Sequence, residues 1–226
     1  MKQLFLAVAV DLLSLSILSF ALAPANVSSH SPIVIQSDAD FTNCACVTSG
    51  MGTQANPYVI GPWSINSNGG TAVSISGANL TKSFVLQNPK ISGQSTSTDR
   101  GIVLNQINPS GTQSIVANIL GAQTSIQNTS TGILLQNSSY VVLDGAGENP
   151  NGAGIVNTGA GTINTNLNGA VVVENSSHIS VKGWQITIPI SLWAFLLQQQ
   201  PSDLQHGRLP VHSQRPDYGR VVVQHS

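Results

Sequence analysis

One short pattern occurs four times between residues 72 and 174, and it restricts the fold more than any other feature of the 226-residue chain. Each copy is a small residue followed by alternating apolar residues, a polar turn and a second apolar stretch. The copies begin 29, 31 and 38 residues apart, at Ala72, Gly101, Gly132 and Ala170. A period of this length indicates supersecondary units that stack on one another.

The alternation within each copy predicts a β-strand with one buried face, whose inward residues are Val73 and Ile75, Ile102 and Leu104, Ile133 and Leu135, and Val171 and Val173. The second stretches, also predicted as strands, are residues 84–86, 114–116, 141–143 and 179–181. The turn between the two strands of a copy is too short for parallel pairing, but each strand can pair with its equivalent in the next copy. We therefore predict an all-β parallel solenoid of about four coils, incomplete at its C-terminal end.

The last two copies share an Asn-Ser-Ser corner, at residues 137–139 and 175–177. Asn tolerates the left-handed backbone conformation that a sharp corner requires, and its amide can bond to a stacked neighbour. Asn137 and Asn175 are therefore predicted to form a structural ladder at this corner.

These units resemble a known class of repeats. Residues 132–145 read G-I-L-L-Q-N-S-S-Y-V-V-L-D-G, and residues 170–183 read A-V-V-V-E-N-S-S-H-I-S-V-K-G. They resemble the right-handed parallel β-helix proteins of the pectate-lyase-like class, including exported repeats grouped as carbohydrate-binding and sugar-hydrolase domains. Residues 52–65 resemble the segment before the first coils of that group. The resemblance covers about residues 41–187; it implies a right-handed coil and a polysaccharide partner, but no specific activity.

The N-terminus is typical of an export signal. Lys2 precedes an apolar stretch, and residues 23–25 have the A-x-A form of a cleavage site. We expect cleavage after Ala25 and a secreted or periplasmic product. A membrane anchor is the alternative, which Asp11 weakens, and no other segment is long enough to cross a bilayer. Residues 26–68 then form an N-terminal cap segment and residues 69–187 the coils.

Residues 188–226 differ from the rest of the chain. They contain no Asn and no Thr, but three of the four Arg. Reading the codons one nucleotide later would give Gly at Trp193 and Asn or Ser at residues 198–200, which is the spacing of the repeat. This region is therefore predicted to be a frameshifted or disordered tail, with a genuine tail poor in Asn as the alternative. An open last coil would allow edge pairing or aggregation.

Cys44 and Cys46 are the only thiols of the chain. In an exported protein they can form a local disulfide if the chain bends, because an extended C-x-C places the two Cα atoms near the limit for bridging. Free or externally paired thiols and a metal site remain open, although a metal needs further soft or imidazole ligands.

No catalytic, cofactor or metal site is predicted. The acidic, Gly-rich residues 144–152 lack the spacing of a helix-loop-helix calcium site and favour a plain turn. Glu174, His178 and Lys182 lie close in sequence, but nothing places them together, so a solvated surface is favoured. The carboxylate cluster of pectate-lyase-like enzymes has no counterpart here, so we lean against an enzyme.

Only 8% of the residues are charged, with 8 Lys and Arg against 9 Asp and Glu. So few cations cannot neutralise many phosphates, which argues against a nucleic-acid partner. We predict an exported binding or structural module associated with polysaccharide. The alternatives are a truncated polysaccharide lyase or glycoside hydrolase whose catalytic coils are missing, and a nonfunctional frameshifted product.

Overall fold

A computed structural model describes residues 27–121, 123–145, 153–156, 169–182, 184–188, 193–198, 205–206, 211–213 and 221–224; the predicted signal lies outside them. In chain order the elements are β1 (Ser29–His30), β2 (Ile33–Ile35), α1 (Asp38–Asn43), β3 (Val47–Ser49), β4 (Tyr58–Ile60), β5 (Ser64–Asn66), β6 (Thr71–Ser76), β7 (Phe84–Gln87), β8 (Lys90–Ser92), β9 (Arg100–Asn105), β10 (Ala117–Leu120), β11 (Ser125–Gln127), β12 (Thr131–Gln136), β13 (Val141–Asp144), β14 (Ala153–Val156), β15 (Gly169–Glu174), β16 (Ser180–Lys182), β17 (Trp184–Ile188), β18 (Trp193–Gln198), β19 (Gln205–His206), β20 (Val211–Ser213) and β21 (Val221–Gln224).

The strands of the described residues form three sheets of seven strands each. Sheet A has the order β1-β5-β8-β11-β14-β17-β20, sheet B the order β2-β6-β9-β12-β15-β18-β21, and sheet C the order β3-β4-β7-β10-β13-β16-β19. From β4 onward the chain visits sheets C, A and B in rotation, so each strand pairs with the strand three elements later. All pairs are parallel except β3 with β4. The prediction of an all-β chain with parallel sheets is confirmed.

The register within sheet B matches the repeat. Val73 pairs with Ile102, which pairs with Ile133, which pairs with Val171. These side chains and those two residues further along each strand are fully buried in one apolar core. On the opposite face of sheet B, Val103, Leu134 and Val172 are also buried and form a second small cluster.

The small residue at the start of each copy points into the core where the chain enters sheet B. A Cβ on Gly101 would lie 2.3 Å from the carbonyl oxygen of Gly132 and 2.7 Å from Cγ2 of Ile126. Ala72 and Ala170, at the equivalent positions, are fully buried. The space at this corner therefore admits a methyl group at Ala72 and Ala170 but no side chain at Gly101.

The prediction of a strand at residues 114–116 is wrong, because that strand, β10, begins at Ala117, which pairs with Phe84 and Val141. The side chain of Asn108 holds residues 114 and 115 in a loop instead. Its Oδ1 accepts the backbone N–H groups of Ser114 and Ile115, both at 3.0 Å, and its Nδ2 donates to the carbonyl oxygen of Ile115.

α1 covers one end of the core. Phe41 is buried, and its ring lies 5.4 Å from that of Tyr58 and 5.7 Å from that of Phe84. Asp38 accepts the backbone N–H of Thr81 at 2.9 Å and also the Thr81 hydroxyl, so α1 is attached to the turn before β7. None of the helices described in this chain is long and apolar enough to cross a membrane.

The described parts of residues 188–226 are strands. β18 pairs with β15, β19 with β16, β20 with β17 and β21 with β18, so all three sheets extend into this region. The boundary at residue 188 and the shifted reading frame concern the gene and stay predictions.

Candidate functional site

The outer face of sheet A carries two rows of polar side chains. Ile65, Ile91 and Ile126 of β5, β8 and β11 are buried in the core, so their sequence neighbours point outward. One outward row is Ser64, Lys90 and Ser125, and the other is Asn66, Ser92 and Gln127. All six are exposed or half-buried. Because paired strands lie about 4.8 Å apart, hydroxyl, amide and ammonium groups repeat along this face at that interval.

Lys90 is the one cation in these two rows. Its ammonium group donates to the backbone carbonyl of Gln123, and partial burial lowers the pKa of Lys90. The stem of Lys90 therefore lies along the sheet instead of extending into solvent.

Trp63 directly precedes β5, at the N-terminal end of this face. It is half-buried, its ring lies 5.1 Å from that of His30, and its Nε1 donates to the carbonyl oxygen of Cys46 at 2.7 Å. Nδ1 of His30 is 2.6 Å from the carbonyl oxygen of Ser31. Because a carbonyl oxygen only accepts, Nδ1 is the donor in this contact.

Asp99 occupies the turn between β8 and β9 and is fully buried. Its Oδ1 accepts the Ser67 hydroxyl at 2.5 Å, and its Oδ2 accepts the backbone N–H groups of Gln94 and Thr96 at 2.8 Å and the Thr96 hydroxyl at 3.0 Å. Burial raises the pKa of Asp99, but these hydrogen bonds together outweigh it, so the pKa lies below its ordinary value. The arrangement is that of a structural anchor, because every partner is a neutral group of the chain.

The predicted Asn corner lies between sheets B and C. Asn137 has φ 48° and Asn175 has φ 45°, both in the left-handed region. Nδ2 of Asn137 donates to Oδ1 of Asn105 at 3.2 Å, one unit earlier, and no hydrogen bond among the described side chains joins Asn137 to Asn175.

Serine side chains form the buried ladder at the same corner. The backbone N–H of Ile107 donates to Oγ of Ser138 at 3.1 Å, and the N–H of Ser138 donates to Oγ of Ser176 at 3.0 Å. Ser139 and Ser177 hydroxyls are 2.8 Å apart. Ser138 and Ser176 are almost fully buried, so hydroxyl groups satisfy the backbone where consecutive units stack.

Cys44 and Cys46 are joined in a disulfide, with their Cα atoms 5.0 Å apart. Cys44 follows the last residue of α1, and Ala45 and Cys46 form the turn that leads into β3. Cys44 is half-buried, whereas Cys46 is fully buried.

The remaining sequence candidates contact different neighbours. Glu174 accepts a hydrogen bond from Nε2 of Gln136 at 2.6 Å. The His178 ring stacks on Tyr140, with ring centroids 4.3 Å apart. The Lys182 side chain and residues 146–152 lie outside the described parts of the chain. Where side chains are described, no group of three His, Cys, Asp or Glu residues could hold a metal ion.

Comparisons with protein families, curated proteins and solved structures found no match to this chain. The family resemblance therefore depends on the sequence alone, on the repeat motifs and on residues 52–65.

Proposed function

We propose that this protein is an exported right-handed parallel β-helix, related to the pectate-lyase-like class, that binds polysaccharide on the outer face of sheet A and acts as a binding or structural module rather than an enzyme. The rotation of the chain through three parallel sheets supports a coil wound on itself. A coil of this kind holds equivalent side chains in register over its whole length.

The two polar rows of sheet A are the observation that carries the proposal. Sugar hydroxyls both donate and accept hydrogen bonds, and Ser64, Asn66, Ser92 and Gln127 offer both functions from an exposed face. A regular repeat along the sheet suits a polymer of regular repeat better than it suits a compact ligand. Lys90, the cation in the rows, makes an acidic polysaccharide the preferred class.

A binding experiment can compare two glutamines, each of which is the last residue of a short strand. Gln127 lies on the outer face of sheet A, and Gln87, also exposed, lies in sheet C. We expect Gln127→Ala combined with Asn66→Ala to weaken binding to an immobilised acidic polysaccharide such as pectate by about 30-fold, because two lost hydrogen bonds at about 1 kcal/mol each remove about 2 kcal/mol of binding free energy.

Gln87→Ala, the control, should leave binding unchanged. If the parent protein is not retained by acidic or neutral polysaccharides, or if the sheet A and sheet C variants weaken binding equally, this function is wrong. Release of new chain ends from the polysaccharide would favour the lyase or hydrolase alternative instead.

A further inference from the structure

We propose that the Cys44–Cys46 disulfide is a thiol–disulfide exchange site, in which Cys44 is attacked by an external thiolate and Cys46 is the leaving group. The proposal is independent of polysaccharide binding. It starts from the unequal exposure of the two sulfur-bearing residues. Cys44 is half-buried and is followed by the exposed Ala45, whereas Cys46 is fully buried. Exchange depends on access to a sulfur, and of the two cysteines Cys44 is the one whose residue is partly exposed, so an external thiolate approaches the bridge from the side of Cys44.

The bridge adds little to a segment that is already held by hydrogen bonds. The carbonyl oxygen of Cys46 accepts Nε1 of Trp63 at 2.7 Å and the N–H of Gly61 at 3.3 Å. The N–H of Cys44 donates to the carbonyl oxygen of Asp40 at 2.9 Å. A disulfide that encloses one residue also restrains the unfolded chain much less than one that closes a long loop. The segment can therefore keep its structure when the bridge is open.

A backbone donor faces the sulfur of Cys44. The N–H of Cys46 points at Sγ of Cys44 at 3.2 Å. A donor in this position stabilises a thiolate on Cys44 once the bridge is reduced, and the thiolate is the reactive form of cysteine. Cys44 also lies at the C-terminal end of α1, whose dipole opposes a thiolate, but a helix of six residues contributes little.

The exchange balances with a thiol as the only co-reactant. The thiolate attacks Sγ of Cys44 and forms a mixed disulfide, while the Cys44–Cys46 bond breaks and its electron pair goes to Sγ of Cys46, which takes up a proton. A second thiolate then attacks the external sulfur of the mixed disulfide and releases Cys44 as a thiolate. Two external thiols are thereby oxidised to a disulfide, and the protein disulfide is reduced to two thiols.

The first experiment uses the unmodified protein and reduced glutathione in native buffer. Alkylation and peptide mass spectrometry should show both cysteines reduced, with a mixed disulfide on Cys44 during the reaction, while the circular dichroism spectrum stays that of the folded protein. Reduction that occurs only when the spectrum is lost, or a mixed disulfide on Cys46, would overturn the proposal.

The second experiment uses the single variants Cys46→Ala and Cys44→Ala with oxidised glutathione. The thiol of Cys44 in the first variant should form a mixed disulfide at least about tenfold faster than the thiol of Cys46 in the second, because Cys44 is partly exposed and Cys46 is fully buried. Equal rates in two folded variants would contradict the assigned roles.

Discussion

Replacing Asp99 by Ala should destabilise the fold more than any other single change at a carboxylate of the described chain. The substitution removes an acceptor that receives four hydrogen bonds at the turn between β8 and β9. Gln94 and Thr96 are exposed residues whose donors can turn to water, but the Ser67 hydroxyl is almost fully buried and loses its partner. A buried donor that has lost its acceptor costs about 1–3 kcal/mol. Together with the loss of the hydrogen bonds from Gln94 and Thr96, we expect Asp99→Ala to lower the free energy of unfolding by about 3 kcal/mol.

Urea unfolding followed by circular dichroism measures this difference, and a double-mutant cycle with Ser67→Ala isolates the Ser67–Asp99 bond. Asp99→Ala leaves the buried Ser67 hydroxyl without an acceptor, and Ser67→Ala removes that hydroxyl. The double variant should therefore be more stable than the sum of the two single effects predicts. If the two effects add, or if Asp99→Ala is as stable as the parent, the anchor role of Asp99 is wrong.

The pH dependence gives an independent check on the same residue. The pKa of Asp99 is lowered in the folded protein, whereas an unfolded Asp titrates at about 3.9. The stabilisation by the carboxylate is therefore present above about pH 4 and is lost as the pH falls toward the folded pKa. Asp99→Asn, which does not titrate, should show a smaller stability difference from the parent at low pH than at pH 7.

Two further predictions concern the coil and the N-terminus. Gly101→Ala should cost about 1–3 kcal/mol of unfolding free energy, because its Cβ would overlap the Gly132 carbonyl and Ile126, whereas Gly70→Ala, whose Cβ would meet only the Ser67 carbonyl oxygen at 3.5 Å, should cost nothing. If Gly101→Ala and Gly70→Ala melt at the same temperature, the corner at Gly101 has room for a methyl group and the prediction is wrong. The exported chain should begin at Asn26 when its N-terminus is sequenced; retention of residues 1–25 in membranes would favour the anchor instead.

The strands of sheet B could be predicted because their alternation is long enough to form a pattern. β6, β9, β12 and β15 each contain two inward aliphatic residues two positions apart, and all of these are buried. The strands of sheet A could not be predicted in this way. β5, β8 and β11 have three residues each and a single inward Ile, and one apolar residue in a polar segment has no period.

The candidate sites likewise could be predicted from the sequence only where a local pattern exists. Asp99 is an ordinary turn residue in the sequence, and only the fold brings Ser67, 32 residues earlier, to its side chain. α1 had a local signal, because Ser37 and Asp40 have the spacing of a capping box, and the backbone N–H of Ser37 does donate to Asp40. A helix of six residues is nevertheless too short to show a helical apolar pattern.

The low charge content of the chain follows from the way its corners are satisfied. Asp38, Asp40 and Asp99 each accept backbone N–H groups, and Glu174 accepts an amide N–H, so these carboxylates bond to neutral donors. Elsewhere uncharged Ser and Asn side chains accept backbone N–H groups, as at Ser138 and Asn108. Such bonds need no cation to pair with, so stacking more units adds serines and asparagines and few charged residues. Acid, which protonates Asp99, should therefore weaken the described coils more than salt, which screens ion pairs.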